Sequence, residues 1–356
     1  MHRFNVGIAG SGAIALAYAA TIALRGHTVT LWSPRTPAQT LRTEPLRATG
    51  IVEQAVRVTA VDTALALAPQ AEVIIIAVPL NGHRTVIDAL LPHLRSGQQV
   101  IVSSMGSLSS LYVYEKALAQ GLQIAVVSFG TTALTARRKG PAHVNIMTRR
   151  PSVGVSCLPR SSLQAAISTC EALFDSHFSA DDNPLISALG NTNAVSHVPL
   201  ALFNWTRIER AEAWPQYHCL TPRVAAVIEA LDAERQAVAR AFGWALPGVS
   251  QKLCKTHGLE AQNLARAAAQ VHAKRGGPPG PVDVETRYVS EDVPFGLVFT
   301  QALAAVVRVP TPVTDTLIAM AELITGQPLA SANDLIEGLD LRDETAAGLL
   351  ARVNVG

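Results

Sequence analysis

Val6-Gly7-Ile8-Ala9-Gly10-Ser11-Gly12-Ala13-Ile14-Ala15 is the stretch that decides the fold of the first half of the chain. Val6–Ala9 is a short apolar run, which is typical of a buried parallel strand. An alanine-rich helical pattern follows and extends to about Arg25, and Thr28–Trp32 has the composition of a second strand. The order strand, G-x-G-x-x-A turn, helix, strand predicts a dinucleotide-binding unit.

Each small residue of the turn meets a structural requirement of dinucleotide binding. Gly10 permits the tight turn, Gly12 lets a pyrophosphate approach the backbone, and Ala15 allows close packing of helix on strand. The amides and dipole at the helix start then face the phosphates. We therefore predict a set of cofactor-binding residues in this turn: Gly10, Ser11, Gly12, Ala13 and Ile14.

The end of the second strand predicts which cofactor is preferred. An acidic residue there would accept hydrogen bonds from the ribose hydroxyls and favour NAD. Here Ser33 carries no charge to repel a 2′-phosphate, and Arg35 is able to bind one. We expect NADP(H) to be preferred, with NAD(H) possible. The alternative is that Arg35 is a solvated loop arginine.

Further strand patterns alternate with helical ones along the first half. They are Ala71–Val78, Gln99–Ser104, Gln123–Ser128, Val144–Met147 and Val153–Ser156. Ligands of doubly wound sheets bind at the carboxyl ends of the strands, which makes Val78 and Pro79 candidate cofactor contacts. His83 is either a contact near the nicotinamide or a histidine at a helix start. The cluster around Arg137 is either a solvated turn or a site that attracts a substrate carboxylate.

The second half is predicted to be helical from about Asn183. Its amphipathic patterns are Pro184–Arg207, Val224–Phe242, Leu259–Ala273, Leu297–Val307 and Pro312–Leu323. We expect an α/β plus all-α chain: an N-terminal Rossmann-type doubly wound parallel sheet over residues 1–182, and a C-terminal helical bundle over residues 183–356.

Two polar segments of the second half contain candidate acid–base residues. Asn193 and His197 are four residues apart and share one face of an otherwise apolar helix. Asp292 lies in E-T-R-Y-V-S-E-D-V-P-F-G-L-V-F, residues 285–299, where charges interrupt an apolar run. A carboxylate bound to one imidazole nitrogen makes the other nitrogen a proton donor. A lone histidine is more often a satisfied core residue, and spacing alone does not bring His197 to Asp292.

N-T-N-A-V-S-H-V-P at 191–199 and R-Y-V-S-E-D-V-P-F-G-L-V at 287–298 resemble the hallmark segments of the opine dehydrogenase (octopine/nopaline dehydrogenase) family. The resemblance implies an NAD(P)H-dependent reductive condensation of an amino acid with a 2-oxo acid. It implies His197 and Asp292 as a catalytic pair, with Asn193 and Arg287 binding substrate. The chain departs from the family pattern at Ser33, and the region of Arg137 matches only loosely.

Two other functions are compatible with parts of the chain. The opening at residues 10–14 fits a ketopantoate-reductase-like enzyme equally well, but Leu189 stands where that family has a catalytic lysine. A leucine cannot transfer a proton. A nicotinamide-binding sensor without turnover is the second alternative, and it would have no need for both His197 and Asp292.

The amino-acid composition limits the classes of molecule that we expect the protein to bind. The 356 residues are 49% hydrophobic and 16% charged with a net charge of +2, which favours a folded protein and no nucleic-acid or membrane partner. The four cysteines are far apart and predict neither a metal site nor a disulfide framework. We expect a cytoplasmic enzyme that acts on small molecules, with a homodimer possible.

Overall fold

The computed structural model describes residues 2–35 and 39–356, and of Arg275 only the backbone. By internal contacts, the residues up to Ala188 together with Leu350–Gly356 form one unit, and Leu189–Leu349 form the other. The division into domains 1–182 and 183–356 stays a prediction.

The strands and helices of the described residues alternate in the first unit, and the second unit is helical. The strands are β1 (Asn5–Ala9), β2 (Thr28–Trp32), β3 (Leu46–Gly50), β4 (Gln54–Val56), β5 (Thr59–Ala60), β6 (Val73–Ile76), β7 (Gln99–Val102), β8 (Ala125–Phe129), β9 (Leu134–Gly140), β10 (His143–Arg149), β11 (Ser152–Leu158) and β12 (His177–Ala180). The helices of the first unit are α1 (Ala13–Leu24), α2 (Thr40–Thr43), α3 (Ala64–Leu67), α4 (His83–Leu90), α5 (Ser109–Ala119) and α6 (Leu163–Phe174).

The remaining helices begin at the end of the first unit. They are α7 (Pro184–Gly190), α8 (Asn193–Leu202), α9 (Trp205–Glu209), α10 (Gln216–Cys219), α11 (Pro222–Ala241), α12 (Val249–His257), α13 (Leu264–Arg275), α14 (Arg287–Ser290), α15 (Phe299–Val307), α16 (Pro312–Thr325), α17 (Asp334–Gly338) and α18 (Ala346–Val353). A π-helical stretch, Val293–Val298, precedes α15. Short 3₁₀ turns lie at Ala68–Gln70, Leu80–Gly82, Leu91–His93, Arg160–Ser162, Leu329–Ser331 and Leu341–Asp343.

The larger sheet of the first unit has the strand order β12-β11-β8-β7-β6-β1-β2-β5. The neighbours from β5 to β8 run parallel, and β11 is antiparallel to β8. The strand order reverses between β1 and β6, and a crevice for a ligand opens at such a point beyond the carboxyl ends. The predicted Rossmann-type sheet is confirmed.

A second sheet of order β4-β3-β10-β9 was not predicted. Helix α1 packs on strands of both sheets, and Ala15–Ile22 are buried all round. A helix between two sheets needs small apolar residues on every face, which explains its alanine-rich sequence. The interpretation of Arg137-Arg138-Lys139 as a turn was wrong, because these residues lie in β9, where Arg137 and Arg138 pair with β10.

Buried and half-buried charged residues of α11 bind groups on neighbouring helices of the second unit. The Glu234 carboxylate accepts from the amides of Val313 and Thr314, at 2.7 and 2.9 Å, and so caps α16. Arg235, 2% exposed, donates to the Asp232 carboxylate at 2.7 Å and to the carbonyl of Leu189 at 2.6 Å. The guanidinium thus neutralises a buried carboxylate and satisfies a carbonyl at the end of α7.

The single helix expected over residues 184–207 is three helices, α7, α8 and α9. After Gly190, the Asn191 side chain accepts from the Asn193 amide at 2.9 Å, so the backbone turns and a new helix begins. The Asn204 side chain donates to the Leu200 carbonyl at 2.9 Å and satisfies a group at the end of α8. Helix α12 was also not predicted, whereas α11 agrees with the helical pattern predicted over Val224–Phe242 to within two residues at each end.

Candidate active site

The turn after β1 has the shape of a phosphate cradle. Gly10 has φ +143°, and a Cβ there would lie 2.3 Å from the Ala77 carbonyl oxygen, so only glycine fits. A Cβ on Gly12 would meet no atom within 4 Å, which leaves space over the backbone at the start of α1. The N-cap residue of this helix, Gly12, has no side chain to cap the helix start, and a helix start of this kind can bind an anion through its amides. The residues present therefore fit the pyrophosphate of a dinucleotide.

The end of β2 presents a half-buried Ser33 and an exposed Arg35. Among the described residues Arg35 forms no hydrogen bond and no ion pair. Arg42, in contrast, is paired with Asp62 at 2.5 Å.

Val78 is half-buried and Pro79 is exposed just beyond β6, and a buried histidine holds this loop. His83, the first residue of α4, donates from Nε2 to the Val78 carbonyl at 3.2 Å, and Nδ1 accepts from the Ser109 hydroxyl at 2.9 Å. Because the carbonyl can only accept, this tautomer is fixed. Burial lowers the pKa of His83 to about 4, so the ring is neutral.

In the second unit His197 and Asp292 meet. His197 lies on α8 and Asp292 directly before the π-helical stretch, and Nδ1 is 2.7 Å from Oδ2. The two side chains are 16% and 11% exposed. Gly296 permits the approach of the two segments, because a Cβ on it would lie 2.3 Å from the Cβ of Ala194. Since the carboxylate accepts the Nδ1 proton, Nε2 is the nitrogen that can exchange a proton with a substrate.

The three predicted substrate-binding residues are all exposed. Asn193 lies one turn before His197 and is exposed. Arg287, which begins α14, is exposed, and its guanidinium carbon lies 6.0 Å from the centre of the Tyr288 ring. Arg287 forms no ion pair within residues 2–35 and 39–356, so its charge remains available to an anion. Arg137 lies exposed on β9 in the first unit, and its substrate role stays a prediction.

The sequence interpretation missed two side chains beside the histidine. The Tyr288 ring stacks on the His197 ring, with centroids 3.8 Å apart and planes 1° apart. Gln216 donates to the Tyr288 phenol oxygen at 2.5 Å. The only signal for Tyr288 was its place next to Arg287, and no pattern pointed to Gln216.

The described part of the chain meets the requirements of neither a metal-binding cluster nor a membrane-spanning helix. No three or more His, Cys, Asp and Glu side chains cluster there as a metal site would require. None of the helices built from those residues has the length and apolar character to span a bilayer.

Comparison with known proteins gives matches over both halves. Residues 180–325 match the family model "NAD/NADP octopine/nopaline dehydrogenase, alpha-helical domain", and residues 6–159 match "Ketopantoate reductase PanE/ApbA". A relative named opine dehydrogenase, from Arthrobacter sp. (strain 1C), is 28% identical over 286 residues, which cover 80% of this chain and 79% of the relative.

Two solved structures share the fold over nearly the full chain. Octopine dehydrogenase with NADH and L-arginine has a TM-score of 0.81 at 17% identity and covers 99% of this chain and 98% of its own. Yersinopine dehydrogenase with NADP+ has a TM-score of 0.73 at 16% identity, with coverage of 96% and 98%.

Proposed function

This chain belongs to the opine dehydrogenase family, and we propose that it catalyses the NAD(P)H-dependent reductive condensation of an amino acid with a 2-oxo acid. The product is an N-(carboxyalkyl) amino acid. The observation that carries the proposal is the 2.7 Å contact between His197 and Asp292.

The His197–Asp292 pair acts as the proton donor. Asp292 holds the imidazole by Nδ1 and compensates the positive charge of the protonated ring, so Nε2 delivers a proton. Condensation of the amine with the oxo group releases one water, and reduction of the resulting carbon–nitrogen double bond takes up one hydride and one proton. General acid catalysis of this kind contributes about 10²–10⁴-fold in rate.

Arg287 and Asn193 hold substrate. Each of the two substrates carries a carboxylate, and the planar guanidinium of Arg287 matches a carboxylate with two parallel hydrogen bonds. The Asn193 amide offers both a donor and an acceptor one helical turn from His197. Arg137 is proposed as a further cation that attracts a substrate carboxylate. Fixing two substrates in one orientation contributes about 7–11 kcal/mol to lowering the barrier.

The cofactor is held by the first unit. The turn from Gly10 to Ile14 would hold the pyrophosphate, Val78 and Pro79 would contact the cofactor beyond β6, and the cofactor would supply a hydride when bound. We propose that Ser33 and Arg35 favour NADPH over NADH, because the exposed guanidinium can bind a 2′-phosphate.

The cofactor preference is tested with Arg35→Ala. Hydrogen bonds to charged groups contribute about 1.5–3 kcal/mol, so KM for NADPH should rise about 10–100-fold while KM for NADH changes little. A wild-type enzyme with higher kcat/KM for NADH than for NADPH would contradict the preference.

The proposed reaction is tested by NADPH oxidation, followed by absorbance. Amino acids mixed with pyruvate should support oxidation, and neither substrate alone should do so. Oxidation with ketopantoate alone would favour the ketopantoate-reductase function, which the match over residues 6–159 supports. Leu189, 2% exposed, offers no proton for that reaction. Demonstrated NADPH binding without any oxidation would favour the sensor.

We further propose that the enzyme is cytoplasmic and acts on small molecules, either as a monomer or as a homodimer. The four cysteines are buried free thiols, as suits a reducing compartment. Cell fractionation tests the location, and a secreted protein would contradict it. Sedimentation analysis distinguishes the monomer from the homodimer.

A further inference from the structure

We propose that Tyr288 is a positioning residue that holds the plane of the His197 imidazole. This inference rests on the proposed function, in which His197 is the proton donor. The two rings are parallel within 1° and their centroids are 3.8 Å apart. The hydrogen bond to Asp292 restrains one edge of the imidazole, and the stacked phenol restrains its face. Together these contacts fix the direction in which Nε2 points.

The Tyr288 ring is itself held from two sides. Thr286 caps α14 by accepting from the Tyr288 amide at 3.3 Å, which sets the backbone of the tyrosine. At the other end of the side chain, Gln216 donates to the phenol oxygen at 2.5 Å. Gln216 is 7% exposed, and its amide nitrogen also donates to the Pro279 carbonyl at 2.9 Å. Both hydrogens of this amide are therefore used, and its orientation is determined.

The 276–281 loop, Gly276-Gly277-Pro278-Pro279-Gly280-Pro281, anchors Gln216. The Gly280 amide donates to the Trp214 carbonyl at 2.7 Å, and the Trp214 indole donates to the Pro281 carbonyl at 2.9 Å. A Cβ on Gly280 would lie 2.1 Å from the Trp214 ring, so glycine is required for this contact. The loop thereby holds the segment that carries Gln216, and Gln216 holds Tyr288 against His197.

The position of Tyr288 also links proton donation to substrate binding. Arg287 is its neighbour in α14, with the guanidinium carbon 6.0 Å from the phenol ring. One turn of helix therefore carries both the proposed carboxylate-binding cation and the ring that fixes the proton donor. The positive charge of a protonated His197 is also favoured by the π face of the phenol.

Three variants separate this role from a general packing role. Tyr288→Phe keeps the stacked ring and loses only the oxygen, so kcat should stay within about threefold of wild type. Tyr288→Leu removes the stack, and kcat should fall about tenfold or more, with KM for both substrates changed less than kcat. Gln216→Leu removes the same hydrogen bond to the phenol oxygen as Tyr288→Phe does and leaves the ring in place, so its kcat should also stay within about threefold of wild type.

The matched control is Tyr217→Leu. Tyr217 packs against Gly277 of the same loop and meets His257 edge-on, with centroids 6.0 Å apart. The substitution removes an equivalent ring from the loop contacts but not from His197. It should leave kcat within about threefold of wild type, a smaller change than the tenfold loss expected for Tyr288→Leu.

The deciding readout is the NMR signal of the His197 ring protons in enzyme with histidine labelled in the ring, without substrates. Stacking shifts these signals by ring current, and Tyr288→Leu should remove the shift while Tyr288→Phe and Tyr217→Leu keep it. An unchanged His197 signal in Tyr288→Leu, or an unchanged kcat, overturns the inference. If Tyr288→Leu fails to fold, the same two measurements on Tyr288→Met, which also removes the ring, decide. If the wild type lacks the condensation activity but the signals shift as expected, the proposed function fails and the positioning contact stands.

Discussion

Replacing Asp292 by asparagine removes the charge beside His197 and leaves the size of the side chain unchanged. The carboxylate lies 2.7 Å from Nδ1, and both side chains are largely shielded from water, at 16% and 11% exposure. With charge centres about 4 Å apart and an effective dielectric of about 20, attraction between imidazolium and carboxylate is about 4 kcal/mol. An asparagine can also present its NH₂ to Nδ1 and select the wrong tautomer.

We expect Asp292→Asn to lower kcat by about 10²–10³-fold, because each 1.4 kcal/mol lost in the transition state is a factor of about ten. KM should change much less, since the charge develops on proton transfer rather than on binding. The assay is NADPH oxidation with saturating amino acid and 2-oxo acid, with the fold checked by thermal unfolding.

Asp340→Asn is the matched control for this prediction. Asp340 is exposed in the second unit and has φ +54°, a conformation that asparagine adopts readily. It undergoes the same loss of charge without touching His197, and kcat should not change. A folded Asp292→Asn variant with kcat within about threefold of wild type would refute the role of the pair.

Three further predictions follow from single contacts. Burial lowers the pKa of His83 from 6.5 to about 4, so protonation of the unfolded chain removes about 3 kcal/mol of stability as the pH falls from about 6.5 to about 4. Urea unfolding at several pH values should show this loss of stability, and the loss should be smaller in His83→Gln. An identical pH dependence of stability in wild type and His83→Gln would contradict the prediction. Arg235→Leu leaves the buried Asp232 carboxylate unpaired and should cost about 3–5 kcal/mol in urea unfolding, whereas the exposed Arg240→Leu should cost under about 0.5 kcal/mol. Equal costs would show that the buried pair is not needed. Gly12→Ala places a methyl group in open space, so the melting temperature should not change. The methyl group would lie where the pyrophosphate is expected, so Kd for NADPH, measured by fluorescence titration, should rise about tenfold. Unchanged NADPH binding would argue against a phosphate at this turn.

The parts of the fold that the sequence predicted well are those with a local signal. The turn at Gly10–Ala15 and its flanking strands follow from neighbouring residues, and β2 has the predicted bounds. The second sheet was missed because β3 pairs with β10 across nearly a hundred residues, and because β4, with three residues, is too short to show an alternating pattern.

The candidate site shows the same limit. Asn193 and His197 share a helix face because four residues make about one turn, which spacing predicts. The contact of His197 with Asp292 joins residues 95 apart, and only the family resemblance pointed to it. The stacking of Tyr288 depends on how α14 packs on α8, and no periodicity reports such a contact.

Transfer of deuterium from NADPH labelled at the hydride-donating position tests the proposed reaction most directly. With an amino acid and a 2-oxo acid present, mass spectrometry should find one deuterium in an N-(carboxyalkyl) amino acid, on the carbon that was the oxo carbon. A labelled 2-hydroxy acid in its place, with the amino acid left unchanged, would contradict the condensation.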